Sequence, residues 1–320
     1  MKMKVFFFFI VLLVISCNGT LHGETASGAV KLTRRGSALK PLVRELFGEI
    51  SEILNAAPRF TLPEGASKIV SAGAHGVRFQ PGRFELRIHV WTGEGGLQDE
   101  MSIASTDYSV PVAAINGTFF CDKGPLGQVI VDGVVPRGIT QIPGRISRCF
   151  VASIAVAGGK TRWVIGETDR PATALIASGG LDGLSLFSGA TAACGAHAGE
   201  SVRWLLGGAG WIVRAGKDVH LEAYQRQRFQ FRKVDQDSRH SVIALDSEGG
   251  LLMIVFETGL NLEAVSRILL TQPQFKGITD AIFFDGGSSS ELVVGREYLV
   301  SPLYLVDKAR FTAITIVSCH

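Results

Sequence analysis

The chain has 320 residues, 46% of them hydrophobic and 19% charged, a balance that excludes a disordered chain and is enough for a substantial core. Its net charge of +3, with no block of lysine or arginine, leaves no electrostatic basis for a nucleic-acid partner. Thirty-eight glycines against eleven prolines point to many tight turns between short strands.

Lys2 and Lys4 precede an unbroken apolar run, Val5 to Ile15. That run is too short for the roughly 20 residues of a spanning helix but fits the h-region of a secretory signal. It ends in Val14-Ile15-Ser16-Cys17, which resembles a bacterial lipobox. Residues 1–17 are therefore expected to be a signal peptide with Cys17 as the lipidation site. The mature chain would then be a membrane-anchored lipoprotein facing the periplasm or cell surface. An ordinary cleaved signal with an incidental cysteine is the alternative. Residues 18–36 are polar and read as a tether. Between Ser37 and Pro58, Leu39, Leu42, Val43, Leu46, Phe47, Ile50, Ile53 and Leu54 recur at three and four, an amphipathic helix over 37–58.

From residue 66 the period changes. Strand-like segments are Lys68–Ala72, Phe84–Trp91, Val112–Ile115, Gln128–Val135, Val151–Ala157, Ala174–Ala177, Val202–Leu206, Ser241–Leu245, Leu251–Phe256 and Asp280–Phe284. One helix interrupts them at Asn261–Thr271, with Asn261 as N-cap and Leu262, Val265, Ile268 and Leu269 on one face. The fold class is α+β, mainly mixed or antiparallel sheet with a few helices, in a main domain over 66–320. Of the four remaining cysteines, Cys121–Cys149 and Cys194–Cys319 are the favoured pairs in an oxidising compartment, with free buried thiols as the alternative. No CxxC, HxH or HExxH spacing suggests a metal site, and no cofactor is expected. A divalent ion held by oxygens alone would leave no sequence trace.

Four local features carry possible chemistry. The sharpest is Phe283-Phe284-Asp285-Gly286-Gly287-Ser288-Ser289-Ser290, an apolar strand running into a carboxylate, two glycines and three hydroxyls. Such a turn offers backbone N–H groups to an oxyanion, and its carboxylate suits acid, base or nucleophile. A glycine-serine turn capped by an aspartate is the bland alternative. The second feature is Ala114-Ile115-Asn116-Gly117-Thr118-Phe119-Phe120, where Asn-Gly could equally be a plain hairpin signal. The third is Leu206-Gly207-Gly208-Ala209-Gly210-Trp211, read as a flexible turn before the strand-like Ile212–Arg214. The fourth is Arg239-His240-Ser241 at a strand entrance, an anion-binding cation or solvated surface.

In order and spacing these features resemble the phosphodiester glycosidase domain family, that of the lysosomal enzyme uncovering mannose 6-phosphate, with bacterial members linked to exopolysaccharide metabolism. The resemblance runs from about residue 66 to the C-terminus, carried by Ala114–Phe120, Gly207–Lys217, His240–Ala244, Gly259–Leu262 and Phe284–Ser290. Three positions depart from the family pattern. Ser288 stands where the family has a third glycine, His240 where it has arginine (with Arg239 one place earlier), and Ala244 where it has glycine. The resemblance implies hydrolysis of a sugar-1-phosphodiester to sugar and phosphomonoester, with a glycan or sugar-phosphate as partner. It implies Asp285 as the acid/base or nucleophilic carboxylate. Asn116 would bond the sugar or orient the reacting group, and Glu257 is a reserve carboxylate. Gly286, Gly287, Ser288 and Ser289, with Arg239 or His240, would hold the phosphate. A non-catalytic glycan-binding envelope lipoprotein is the alternative, favoured by Ser288 and His240; a structural surface lipoprotein is a third.

Overall fold

The computed structural model describes residues 60–319, apart from 72, 91–110, 122–123, 137–145, 157–159, 178–183, 185, 189–190, 193–199, 231–233 and 304–311. The expected signal peptide, Cys17, the tether, the 37–58 helix and Cys194 lie outside the described residues.

The principal strands in chain order are β1 (Ala66–Ser71), β2 (Ala74–Phe79), β3 (Phe84–Val90), β4 (Pro111–Asn116), β5 (Arg148–Ala155) and β6 (Thr161–Thr168). There follow β7 (Ser201–Arg214), β8 (Ser238–Asp246), β9 (Leu251–Leu260), β10 (Ile278–Phe283), β11 (Leu292–Val294), β12 (Glu297–Val300) and β13 (Thr312–Ser318). The principal helices among the described residues are α1 (Ala172–Ala177), α2 (His220–Gln225) and α3 (Leu262–Thr271). A long sheet has the order β1-β2-β9-β8-β10-β7-β5-β6, continued by Leu186–Ser188 and Thr191–Ala192. A second sheet has the order β12-β11-β4-β13-β3. Neighbouring strands of both sheets pair antiparallel. The expected class holds, and of its two forms of sheet the antiparallel one is found.

The two sheets stack face to face, and their inner side chains form one core. Val77, Phe79, Trp211, Ile243, Val255, Ile282 and Phe284 of the long sheet meet Leu86, Ile115, Ile314 and Ile316 of the second. On its other face the long sheet carries a second core, where Ile212, Val242, Ile254, Phe256 and Phe283 pack with Leu262, Val265 and Leu269 of α3. Burial on both faces explains why Leu251–Phe256 is apolar without alternation. Helix α3 starts where its sequence predicts. The Asn261 side-chain oxygen accepts from the Ala264 N–H at 2.9 Å, satisfying one of the unpaired donors of the first turn.

Four expectations are corrected. Ala174–Ala177 is helical within α1, because alanine and leucine favour helix and Pro171 sets its start, its carbonyl accepting from Ala174 and Leu175. Gln128–Val135 is not one strand. Val129–Ile130 pair with β7, and a Val131–Val134 bridge closes around Asp132 and Gly133, whose φ angles are 47° and 77°. The glycine-rich stretch Gly207–Trp211 is no turn but the middle of β7, the 14-residue strand Ser201–Arg214. Its glycines give clearance: a side chain at Gly210 would meet the Phe283 and Phe229 rings at 2.4 and 2.7 Å. Neither favoured disulfide forms, since Cys149 and Cys319 are free thiols. Cys149 is buried in the core between the sheets, where Gln227 Nε2 donates to its Sγ at 3.0 Å, whereas Cys319 is exposed beyond β13. Burial also pushes the Cys149 thiol pKa well up.

Candidate active site

The site grows from the end of β10. Its last ladder bond passes from the Phe284 N–H to the Ser241 carbonyl at 2.9 Å, within the long sheet. One residue later the Asp285 N–H donates to the Gly117 carbonyl at 3.2 Å, beside the second sheet. The chain therefore changes sheets at Asp285. Gly286 lies against β8 so closely that a Cβ there would be 2.6 Å from the Arg239 carbonyl oxygen. Gly287 takes φ +66°, a left-handed conformation open to glycine at no steric cost. Gly287–Ser289 then form a single 3₁₀ turn, Ser290 is buried, and β11 begins beside β4 with Leu292 opposite Ile115.

Asn116, at the end of β4 and 3% exposed, fastens this turn. Its Nδ2 donates to the Asp285 carbonyl at 2.8 Å. Its Oδ1 accepts from Ser241 Oγ at 2.6 Å and from the Glu291 N–H at 3.1 Å. One amide thus joins β4, β8 and both ends of the Asp285 turn. Both ends of the amide are committed inside the protein. Asn-Gly here is a strand exit and not a hairpin turn: the Gly117 and Thr118 N–H groups donate to the carbonyl and hydroxyl of Thr312, at 2.9 and 3.0 Å.

The two expected phosphate cations are engaged with protein acceptors. Arg239 donates to the Glu257 carbonyl at 3.1 Å, to the Ser301 carbonyl at 2.8 Å and to Glu257 Oε1 at 3.4 Å. His240 is 3% exposed, and its Nε2 lies 2.7 Å from the Leu260 carbonyl; a carbonyl only accepts, so that nitrogen carries the proton. Glu257 is exposed beside the turn and also pairs with His75 Nε2 at 3.4 Å. Asp285, Gly286, Gly287, Ser288 and Ser289 are half-buried together at the rim, adjoining Arg239 and Glu257 on β8 and β9.

Next to the turn lies an aromatic pad. Phe119, Phe229 and Phe283 have ring centroids 4.8–6.3 Å apart, tilted or edge-on to one another. Sequence analysis singles out Phe119 and Phe283 only as motif flanks and does not reach Phe229. It also passes over Glu291, a wholly buried carboxylate directly after the turn, because an acidic residue following three serines reads as loop. Among the described residues no three His, Cys, Asp or Glu side chains converge as metal ligands.

Known proteins share this arrangement at the level of fold. A catalytic-domain structure of zebrafish N-acetylglucosamine-1-phosphodiester alpha-N-acetylglucosaminidase, auto-inhibited by its pro-peptide, superposes with a TM-score of 0.52 at 18% identity, over 82% of this chain and 86% of that one. A Burkholderia pseudomallei K96243 protein described as exported gives 0.52 at 10% identity, over 76% and 73%. A hypothetical protein of Synechocystis gives 0.50 at 16% identity; the match covers 80% of this chain but only 62% of the Synechocystis chain. No curated protein matches the sequence significantly. The family model described as phosphodiester glycosidase matches residues 109–312, a span that includes Asn116, the whole of β8 and the Asp285 turn, and the chain belongs to the phosphodiester glycosidase family.

Proposed function

We propose that the protein is an exported phosphodiester glycosidase that hydrolyses a sugar-1-phosphodiester of envelope or extracellular glycans, releasing the sugar and a phosphomonoester. The observation that carries this reading is the Asp285 turn itself, a carboxylate at the rim of the fold on a backbone fastened to both sheets through Asn116. Preorganisation of that kind is what a reacting carboxylate needs. In the reaction the bond between the anomeric carbon and the phosphate oxygen breaks, and its electron pair leaves with the phosphate. Water supplies the hydroxyl of the sugar and the proton taken up elsewhere.

A phosphomonoester has its second pKa near about 6, so it departs at neutral pH with little need of a general acid. The carboxylate is more useful on the other side of the sugar ring. Asp285 therefore acts as nucleophile, or as the base that activates water. The turn Gly286–Ser289 receives phosphate oxygens: among the described residues the Gly287 and Ser288 N–H groups make no backbone hydrogen bond. Glu257 stays in reserve as a second carboxylate, held by Arg239. Export rests on the Val5–Ile15 run, and membrane anchoring on Cys17.

A second reading, glycan binding without catalysis, is favoured by one observation: the His240 ring is bonded to the Leu260 carbonyl where the family pattern has an arginine. Hydrolysis of a panel of sugar-1-phosphodiesters by the purified chain, beside Asp285→Asn, separates the two. Turnover that disappears in the folded mutant supports the glycosidase. Binding of the same compounds without turnover moves the assignment to the glycan-binding lipoprotein, and full activity in Asp285→Asn removes Asp285 from the chemistry.

A further inference from the structure

Arg148 opens β5, and its guanidinium carbon lies 3.6 Å from the centroid of the Phe229 ring. Its surroundings differ from those of five other arginines of the described residues. Arg162, Arg203, Arg214, Arg226 and Arg239 each meet a carboxylate within 3.4 Å. Around Arg148 the described residues supply one bond, from Nη2 to the Arg228 carbonyl at 3.4 Å. Its Nε and Nη1 are shielded from water and have no acceptor there. Stacking on an aromatic ring offsets part of the cost of that desolvated charge but satisfies none of its N–H donors. Burial pulls the Arg148 pKa down to about 10, which still leaves it fully cationic at neutral pH.

Strand register places this cation beside the candidate site. Phe283 pairs with Gly210 and Cys149 pairs with the adjacent Ala209, so Arg148 starts level with the end of β10, two strands away. At the usual inter-strand spacing that is about 10 Å between backbones, on the sheet face where Phe229 and Phe283 cover Gly210. Phe283 stands two residues before Asp285 and Phe119 three after Asn116. The residue as a whole is half-buried, with two of its guanidinium nitrogens covered.

We propose that Arg148, stacked on Phe229, is a phosphate-binding residue and that it and the aromatic pad form the subsite for the substrate's phosphodiester. The proposal rests on the glycosidase reading for the identity of the anion. The planar guanidinium offers Nε and Nη donors in the fork geometry that phosphate oxygens match, and a monoanionic phosphodiester supplies the acceptors the protein does not. It also answers where the site finds its cation when Arg239 and His240 are bonded elsewhere.

The test compares the full chain with Arg148→Met, an apolar replacement of similar length, and Arg148→Gln as a second variant should the first not fold. Calorimetry measures binding of inorganic phosphate and of dimethyl phosphate, and thermal melting is recorded without ligand. Binding is expected to weaken at least about ten-fold in the variants, while the ligand-free melting temperature stays level or rises, because an unpaired desolvated charge has been removed. Unchanged phosphate binding with a lowered melting temperature would make Arg148 a structural stacking residue and overturn the proposal. Failure of the parent chain to bind either anion would overturn it too. Hydrolysis is scored separately. Arg148→Met cleaving sugar phosphodiesters with the parent's KM would keep the glycosidase and sink the subsite. Arginine-dependent phosphate binding in a chain that hydrolyses none of them would do the reverse.

Discussion

Two aspartates stand where strands of the long sheet end, and they are held in opposite ways. Asp246 closes β8, and its Oδ1 accepts from the Glu248 and Gly250 N–H groups at 3.0 and 2.8 Å, so the carboxylate organises its own turn. Asp285 follows β10, and its backbone is held on both sides, the N–H by Gly117 and the carbonyl by Asn116. The first is the plain aspartate-capped glycine turn; the second is a turn built by other residues around an aspartate. An aspartate ahead of two glycines at a strand end does not separate these cases. What separates them is whether the turn needs the carboxylate in order to exist.

The comparison is easiest to break at Asp285. Asp285→Asn should lower kcat about 10²- to 10⁴-fold on a sugar-1-phosphodiester while the urea midpoint hardly moves, since the backbone bonds survive. A large stability loss with this isosteric change would mean that the carboxylate supports its turn as Asp246 does. Next in size is Asn116→Ala, which strands the Asp285 carbonyl, the Ser241 hydroxyl and the Glu291 N–H. Equilibrium unfolding should show a loss of about 3 kcal/mol, with activity falling in the folded fraction. Asp246→Ala should cost about 2 kcal/mol by the same measurement and leave kcat/KM where it was, because the turn it supports is remote in the fold from Asp285. The smallest effect is expected from Gly287→Ala. A methyl group at this position would meet nothing within 4 Å, so the left-handed φ of +66° alone should account for a loss of about 1 kcal/mol, read from the same unfolding curves.

Sequence reading reaches the parts of this molecule that are local. The period-two segments locate most strands, and the three- and four-residue spacing after Asn261 gives α3 with its cap. The Asp285 turn stands out because a carboxylate, two glycines and three hydroxyls follow an apolar strand without a break. What it misses is non-local. Asn116 is 125 residues from Ser241 and 175 from Glu291, and no pattern within a window announces that one amide will bond to both. Arg239 and His240 look like waiting cations until the fold brings Glu257, Ser301 and Leu260 to them. Gly207, Gly208 and Gly210 read as a turn, yet they clear space for groups that arrive from elsewhere in the chain: Gln128, the Leu126 carbonyl with the Thr118 hydroxyl, and the Phe283 and Phe229 rings.

The seam position of the Asn116 amide has a consequence for how the Asp285 turn can open. An enzyme whose reactive loop hangs from one sheet can open that loop while the rest stays folded. Here the loop, β4 and β8 are tied at one buried point, so local opening of the site must disrupt the junction between the sheets. Hydrogen exchange at the Glu291 amide should then follow the slow, global class of the core strands and not the fast class of surface turns. Inactivation on heating should coincide with the loss of the sandwich as a single cooperative event.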